Sequence, residues 1–393
     1  MAYDGNELRG KQTMNSKLIG GILLMVGCTI GAGILGLPIA TAELGFVGSL
    51  VLLIGGWLVI TFCAFLVLEV NLRLPAGTNF ISMAGATLGR WGQSVIWVIY
   101  LVLLYSFISA YIAGGGDLFH YLLQVIGFSI SPGAGVILFT LLFGLIVYLG
   151  VHCIDYANRV LMCVKMGVFI LLLLSIFPFI SSDNLVGGDV QHTFAPSSMM
   201  VVAAAFGSLM IVPSLRTYFG EDVRSLRYAI FIGFTISLLC YIAWDMVILG
   251  VIPWQGSPGL QQMVHSSTTN SDILKALELL VHKKMVLTFL KCFTAICMTT
   301  SFLSISLCLT DFLADGLRLP KAGFSNLLIH GLTWVPPVLL VLFYPGGFMR
   351  ALEYAGICVV ILMVIMPPLM VWRSRMLRLG DGYHTAATNE GLA

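Results

Sequence analysis

Ten apolar stretches, each long enough to cross a bilayer, follow one another between residues 18 and 372, and they restrict the fold more than any other feature. They run over about 18–40, 44–70, 94–116, 133–151, 159–180, 198–219, 227–252, 286–313, 323–344 and 348–372. A hydrocarbon core about 30 Å thick is crossed by about 20 helical residues. Inside it every backbone N–H and C=O needs a partner within the protein, which leaves helices as the natural solution for stretches of this length. Only 10% of the chain is charged, against about 25% in an ordinary soluble domain. The sequence therefore predicts an all-α integral membrane protein with one membrane domain.

An even number of spans puts both termini on one side. Fourteen basic residues then fall in the segments on the side of the N-terminus, and only Lys275, Lys283, Lys284 and Arg350 fall on the other. Because cytoplasmic loops carry the excess of Lys and Arg, both termini are expected in the cytoplasm. The basic residues form no concentrated patch, and nucleic-acid binding is excluded on that ground. The opening "MAYDGNELRGKQTMNSK" is polar for too long to be a secretory signal, so the first span is expected to remain in the mature protein. Of nine cysteines most lie in apolar runs and none forms a Cys-x-x-Cys pair; they read as small packing residues. The seven histidines lack metal-ligand spacing, and no metal site or cofactor is expected. No nucleophile elbow, phosphate loop or catalytic carboxylate pair occurs, so the chain is not read as an enzyme.

Two spans carry residues that weaken helices. The first contains "GCTIGAGILGLP", residues 27–38, and the sixth contains "AAAFGSLMIVPS", residues 203–214. Glycine costs about 1 kcal/mol and proline about 3 kcal/mol in a helix interior. The prolines Pro38 and Pro213 lie 175 residues apart, close to the 180 that separate the starts of spans 1 and 6. Five spans per half is an odd number, so the second half is inverted relative to the first. Corresponding breaks in two inverted halves point to a ligand site at the midplane; close helix packing through Gly27 and Gly31 is the simpler reading. The expected organisation is a cytoplasmic tail 1–17, a five-helix repeat 18–180, an external loop 181–197, an inverted five-helix repeat 198–372 and a cytoplasmic tail 373–393. Within the second repeat, residues 253–285 form an external loop with a short surface helix.

A broken helix exposes N–H groups suited to a carboxylate and C=O groups suited to an ammonium. Around Thr29, Ile30, Gly31, Ala32 and Gly33 both kinds lie close together, which fits an amino acid. The Thr29 hydroxyl can join such a site or bond to its own helix. Ionisable residues within spans are costly and need a reason. Lys165 stands about 10 Å inside span 5 at the helical rise, and either exchanges a proton or snorkels to the interface. Asp245, Lys291 and Glu353 fall in the outer half, where pairing of Asp245 with Lys291 is expected. Thr300 and Ser301 belong to a hydroxyl-rich stretch of span 8, suited to interhelical bonds or an ion site. Tyr111, before three glycines, is a packing residue or a pocket wall.

The strings "TIGAGILGLPIA", "FLVLEV", "SAYIAGGGDL", "NRVLMCVKMGVF", "VPSL", "TSFLSISLCLTDFLADGL" and "LFYPGGFMRALEYAGI" together resemble the bacterial aromatic amino-acid permeases, the tyrosine- and tryptophan-specific transport proteins. The resemblance runs in order from about residue 17 to about 375. It implies a LeuT-type five-plus-five inverted repeat with broken helices 1 and 6, alternating access, and proton-driven uptake across the bacterial inner membrane. It further implies that Thr29 through Gly33 hold the substrate's amino and carboxylate groups and that Tyr111, Phe206, Gly207 and Ser208 line its side-chain pocket. Lys165 takes the proton-coupling position, facing Thr300 and Ser301 at the place of an ion site. Two departures stand out. A Phe-His-Gly-Ser run of the tyrosine type is replaced by Ser208, Leu209, Met210 and Ile211, and the usual eleventh span gives way to "RLGDGYHTAATNEGLA". The leading expectation is a proton-coupled symporter importing tyrosine, tryptophan or phenylalanine. A sodium-coupled or broader neutral amino-acid carrier is the alternative, and a non-transporting amino-acid receptor is the alternative of another class. Its partners are the small-molecule substrate and the lipid bilayer.

Overall fold

The computed structural model describes residues 17–377 apart from 76, 150, 187–194, 265–268, 282, 321 and 345–346. Most of both expected tails and residues 187–194 of loop 181–197 lie outside the described residues. Among those residues the secondary structure is helical throughout. Seven helices are individually long and apolar enough to cross a membrane, or up to eight spans if a bent pair counts as one.

That pair is the first span. Helix α1 (Lys17–Thr29) and α2 (Gly33–Ala40) are bent by 55° across the glycine-rich break. Beyond it run α3 (Gly45–Leu72), α4 (Phe80–Val125), α5 (Pro132–Tyr148) and α6 (Val151–Ile176). Gly89 in α4 takes a φ of 75°, open to glycine without strain, and separates a preceding helical stretch from the spanning part. A short α7 (Ser182–Val186) precedes the sixth span, which is again divided. Its first half, α8 (Pro196–Ala205), stops at Phe206; a 3-10 turn over Leu209–Ile211 leads into α9 (Val212–Phe219). Pro213 thus sits in the first turn of a helix, where its missing N–H costs nothing.

The remaining spans are α10 (Val223–Val251), α13 (Lys284–Leu317), α14 (Gly323–Phe343), and α15 (Gly347–Val359) continued through a π-helical stretch at Val360–Ile365 into α16 (Met366–Met376). The ten stretches read from sequence thus all appear as helix, the fourth as 17 residues and the sixth as two halves. Loop 253–285 carries two helices, α11 (Leu260–Val264) and α12 (Thr269–Val281). Their apolar residues, among them Leu260, Met263, Ile273, Leu274 and Leu277, are buried against α2 and against α4 and α13, so this loop covers the end of the broken first span.

The two half-helices α2 and α8 pack on each other, α15 packs on α4 and α8, and α13 packs on α4 and α6. Large apolar side chains such as Phe62, Leu141 and Leu174 remain more than 60% exposed. On a membrane protein such faces meet lipid. Cys63, Cys297 and Cys358 are buried free thiols that fit the packing role; Cys28, Cys163, Cys292 and Cys308 are free and exposed.

At the end of the bundle nearest the termini, Arg375 bridges α16 to Glu69 of α3 through two contacts of 2.9 Å, and Arg73 adds a third at 2.8 Å. Arg216 of α9 donates to the carbonyls of Asn71 and Leu74, capping the C-terminus of α3. At the other end the expected Asp245–Lys291 pair does not form. Lys291 lies over the ring of Tyr121, 5.1 Å from its centroid, while the Asp245 carboxyl is held by Thr41 and Ser49. Span position alone gave no information on the rotation of α10 and α13, and these two residues face different neighbours.

Candidate substrate site

The break in the first span meets the break in the sixth. A Cβ on Gly33 would lie 3.1 Å from the Cα of Ala205, so only a glycine lets the two backbones approach this closely without displacement. The Thr29 hydroxyl bonds to its own helix and also reaches the second break. It bonds back to the Met25 carbonyl at 2.8 Å and meets the Ser208 hydroxyl at 2.6 Å, linking the two breaks.

The polar backbone groups here are occupied in a specific way. Ser301 accepts the Ala32 N–H at 2.8 Å, and a Cβ on Gly31 would stand 2.8 Å from the Ser301 hydroxyl oxygen. Lys165 is fully buried and its Nζ donates to the Ile30 carbonyl at 2.5 Å. It points inward, so snorkelling does not describe it. The Ile30 carbonyl, one of the groups expected to meet a ligand ammonium, therefore carries the chain's own Lys165 amine in this conformation. Helix geometry leaves the first N–H groups of α2, at Gly33 and Ile34, without intrahelical acceptors.

Tyr111 stacks on Phe107 with ring centroids 5.8 Å apart, and its hydroxyl bonds Ser301. Gly207 faces the same space: a Cβ there would lie 3.1 Å from Val359 and 3.3 Å from Phe107. Phe107, Tyr111, Gly207, Ser208 and Val359 thus bring α4, the sixth-span break and α15 together beside the first break. Phe206 is not part of this group. Its ring lies edge-on to Tyr241 at 5.0 Å and near Phe234, behind the break. Thr300 spends its hydroxyl on the carbonyls of Ile296 and Cys297 of its own helix, and only Ser301 of the pair reaches the break.

Tyr241 was missed in the sequence. Its hydroxyl lies 2.7 Å from the Thr29 carbonyl and 2.7 Å from the Ala205 carbonyl, the last helical residues before each break. A mid-span tyrosine reads as packing. Its placement four residues before Asp245 on one helix face was the available signal.

A family model described as the tryptophan/tyrosine permease family matches residues 14–392. The chain belongs to this family. Among curated tryptophan/tyrosine permease relatives, the tyrosine-specific transport system 1 of Haemophilus influenzae is 32% identical over 92% of the chain and 89% of its own length. The tryptophan-specific transport protein of Pseudomonas aeruginosa is 29% identical over 91% and 86%. The glutamine transporter 2 of Aliivibrio fischeri is 26% identical over 91% and 89%. These relatives are transport proteins, not enzymes, and the chain is a multi-pass membrane protein of a bacterial permease family. Among solved structures, a manganese transporter of Eremococcus coleocola superposes with a TM-score of 0.61 at 13% identity, covering 93% of the chain and 86% of its own. At that identity the likeness establishes a shared fold.

Proposed function

We propose that this permease imports aromatic amino acids across the bacterial inner membrane, with both termini cytoplasmic, by proton-coupled alternating access. Residues 18–180 and 198–372 form its two inverted repeats. The observation that carries this reading is the buried Lys165 side chain, whose Nζ donates to the Ile30 carbonyl at the first break. The Lys165 ammonium holds the Ile30 carbonyl while the substrate ammonium takes another carbonyl between Thr29 and Gly33 and the substrate carboxylate takes the N–H groups at the start of α2, so that one proton and one substrate are bound together. When the site opens to the cytoplasm, water takes the proton from Lys165, and proton and substrate leave on the same side. Binding of substrate and movement of a proton are thereby linked at one break. The side-chain pocket lies between Tyr111 and Phe107 on one side and Gly207, Ser208 and Val359 on the other, where an aromatic ring can stack.

The glutamine-transporting relative favours a second reading, a broader neutral amino-acid carrier with the same head-group site. A thermal-shift screen of the amino acids separates the two. At about a hundredfold excess over Kd a ligand stabilises the folded protein by about 2.7 kcal/mol. Tyrosine, tryptophan or phenylalanine is expected to raise the melting temperature while glutamine does not. A shift with glutamine as well as with the aromatic amino acids selects the broader carrier, and no shift with any amino acid contradicts both.

A further inference from the structure

Asp245 is fully buried on α10, at the end of the bundle covered by α11 and α12, and the transport reading above makes no use of it. Its Oδ2 lies 2.9 Å from the Thr41 hydroxyl, just past α2, and 2.5 Å from the Ser49 hydroxyl on α3. Its Oδ1 is buried without a hydrogen-bond partner. Thr41 and Ser49 are themselves completely buried.

Among the described residues, no cation on the elements packed on α10 bonds this carboxyl; Lys291 of α13, a helix that meets α10 at Trp244 and Phe293, lies over Tyr121 instead. Helix α2 has no ionisable side chain. Glu69 of α3 is engaged with Arg73 and Arg375 at the opposite end. Lys165 of α6 is bonded at the break, Arg216 of α9 caps α3 at the far end, and Asp183 of α7 and Glu43 beside Thr41 are exposed. On α10 itself, Tyr241 is turned to the two broken helices. Among the described residues, the side chains hydrogen-bonded to the carboxyl are Ser49 and Thr41.

The supply of hydrogens favours the neutral form of the acid. Thr41 has one hydroxyl hydrogen and two oxygens within reach, the Leu37 carbonyl at 2.9 Å and Asp245 Oδ2. With an ionised Asp245, one of these two contacts lacks a hydrogen. A proton on Oδ2 supplies it: Thr41 donates to Leu37 and accepts from the acid, while Ser49 donates to Oδ2. The neutral acid also removes the cost of a buried, unpaired charge.

We propose that Asp245 is a second proton-binding site, protonated while Thr41 and Ser49 enclose it and ionised when the end of the first span moves away and admits water. On opening, the O–H bond breaks, water takes the proton and the carboxylate remains hydrated. On closing, one proton is taken up. The assignment of the proton is independent of the role of Lys165; only its use in transport rests on alternating access.

Infrared spectroscopy of the full-length protein in lipid vesicles tests it. At neutral pH, without sodium, a carbonyl band of a protonated carboxylic acid is expected. Asp245→Asn removes it, Thr41→Val, which deletes the accepting hydroxyl, shifts it, and Lys165→Ala leaves it in place. The Thr41 variant keeps the test decisive if Asp245→Asn fails to fold. Absence of the band, its persistence in Asp245→Asn, no shift in Thr41→Val, or its removal by sodium at constant pH would each overturn the proposal, the last in favour of a metal cation. A failure of proton-driven transport in the Lys165 variant with this band intact would touch only the coupling role of Lys165.

Discussion

Lys165→Ala is expected to abolish accumulation driven by a pH gradient while leaving substrate counterflow in place. With one proton per substrate, one pH unit supplies about 1.4 kcal/mol and thus about tenfold accumulation. The variant loses that whole factor and brings internal and external substrate to equality. Counterflow persists because the backbone groups of the first break, which hold the substrate in this reading, are unchanged by the substitution. The change also removes the buried aliphatic stem and leaves a carbonyl unsatisfied, at about 1–3 kcal/mol. Lys165→Met separates the two effects, since it retains most of the stem and lacks the charge. Both variants should behave alike in proteoliposomes, and pH-driven accumulation by the methionine variant would assign Lys165 a packing role only.

Gly356→Ala is expected to be the most damaging single methyl in the protein. A Cβ at this position on α15 would stand 1.9 Å from the Met200 carbonyl oxygen and 2.7 Å from its Cα on α8. The obstacle is helix backbone, so no rotamer change relieves it. Overpacking of a core costs about 1–3 kcal/mol where side chains can yield, and more where they cannot. Because α8 carries the first half of the sixth-span break, pushing it away from α15 also displaces Gly207 from Phe107 and Val359. A melting temperature lowered by several degrees, with loss of substrate-induced stabilisation, is the expected result in detergent. Gly55, with open space around its Cβ position on α3, is the control, and alanine there should have little effect.

Much of this fold is legible in the sequence. Apolar length alone gave the spans, because hydrocarbon allows few other structures. The glycines at 27–33 and Gly207 marked the breaks because a helix carries such residues in its interior only at a cost. The depth of Lys165 followed from the helical rise. Partnerships across the bundle were not legible. Asp245 and Lys291 share an expected depth, but their helices are rotated toward Thr41 and Ser49 in one case and Tyr121 in the other. The Phe206 ring turned away from the site for the same reason. Tyr241, between two carbonyls 176 residues apart in sequence, is defined by a contact that no local pattern records.

Uptake of radiolabelled tyrosine, tryptophan and phenylalanine into proteoliposomes tests proton-coupled transport most directly, with an inward pH gradient, an inward sodium gradient or neither imposed. Accumulation above the external concentration is expected under the pH gradient only, and it should collapse when a protonophore dissipates that gradient. Accumulation under the sodium gradient, or uptake indifferent to either, would contradict proton coupling at the broken first span.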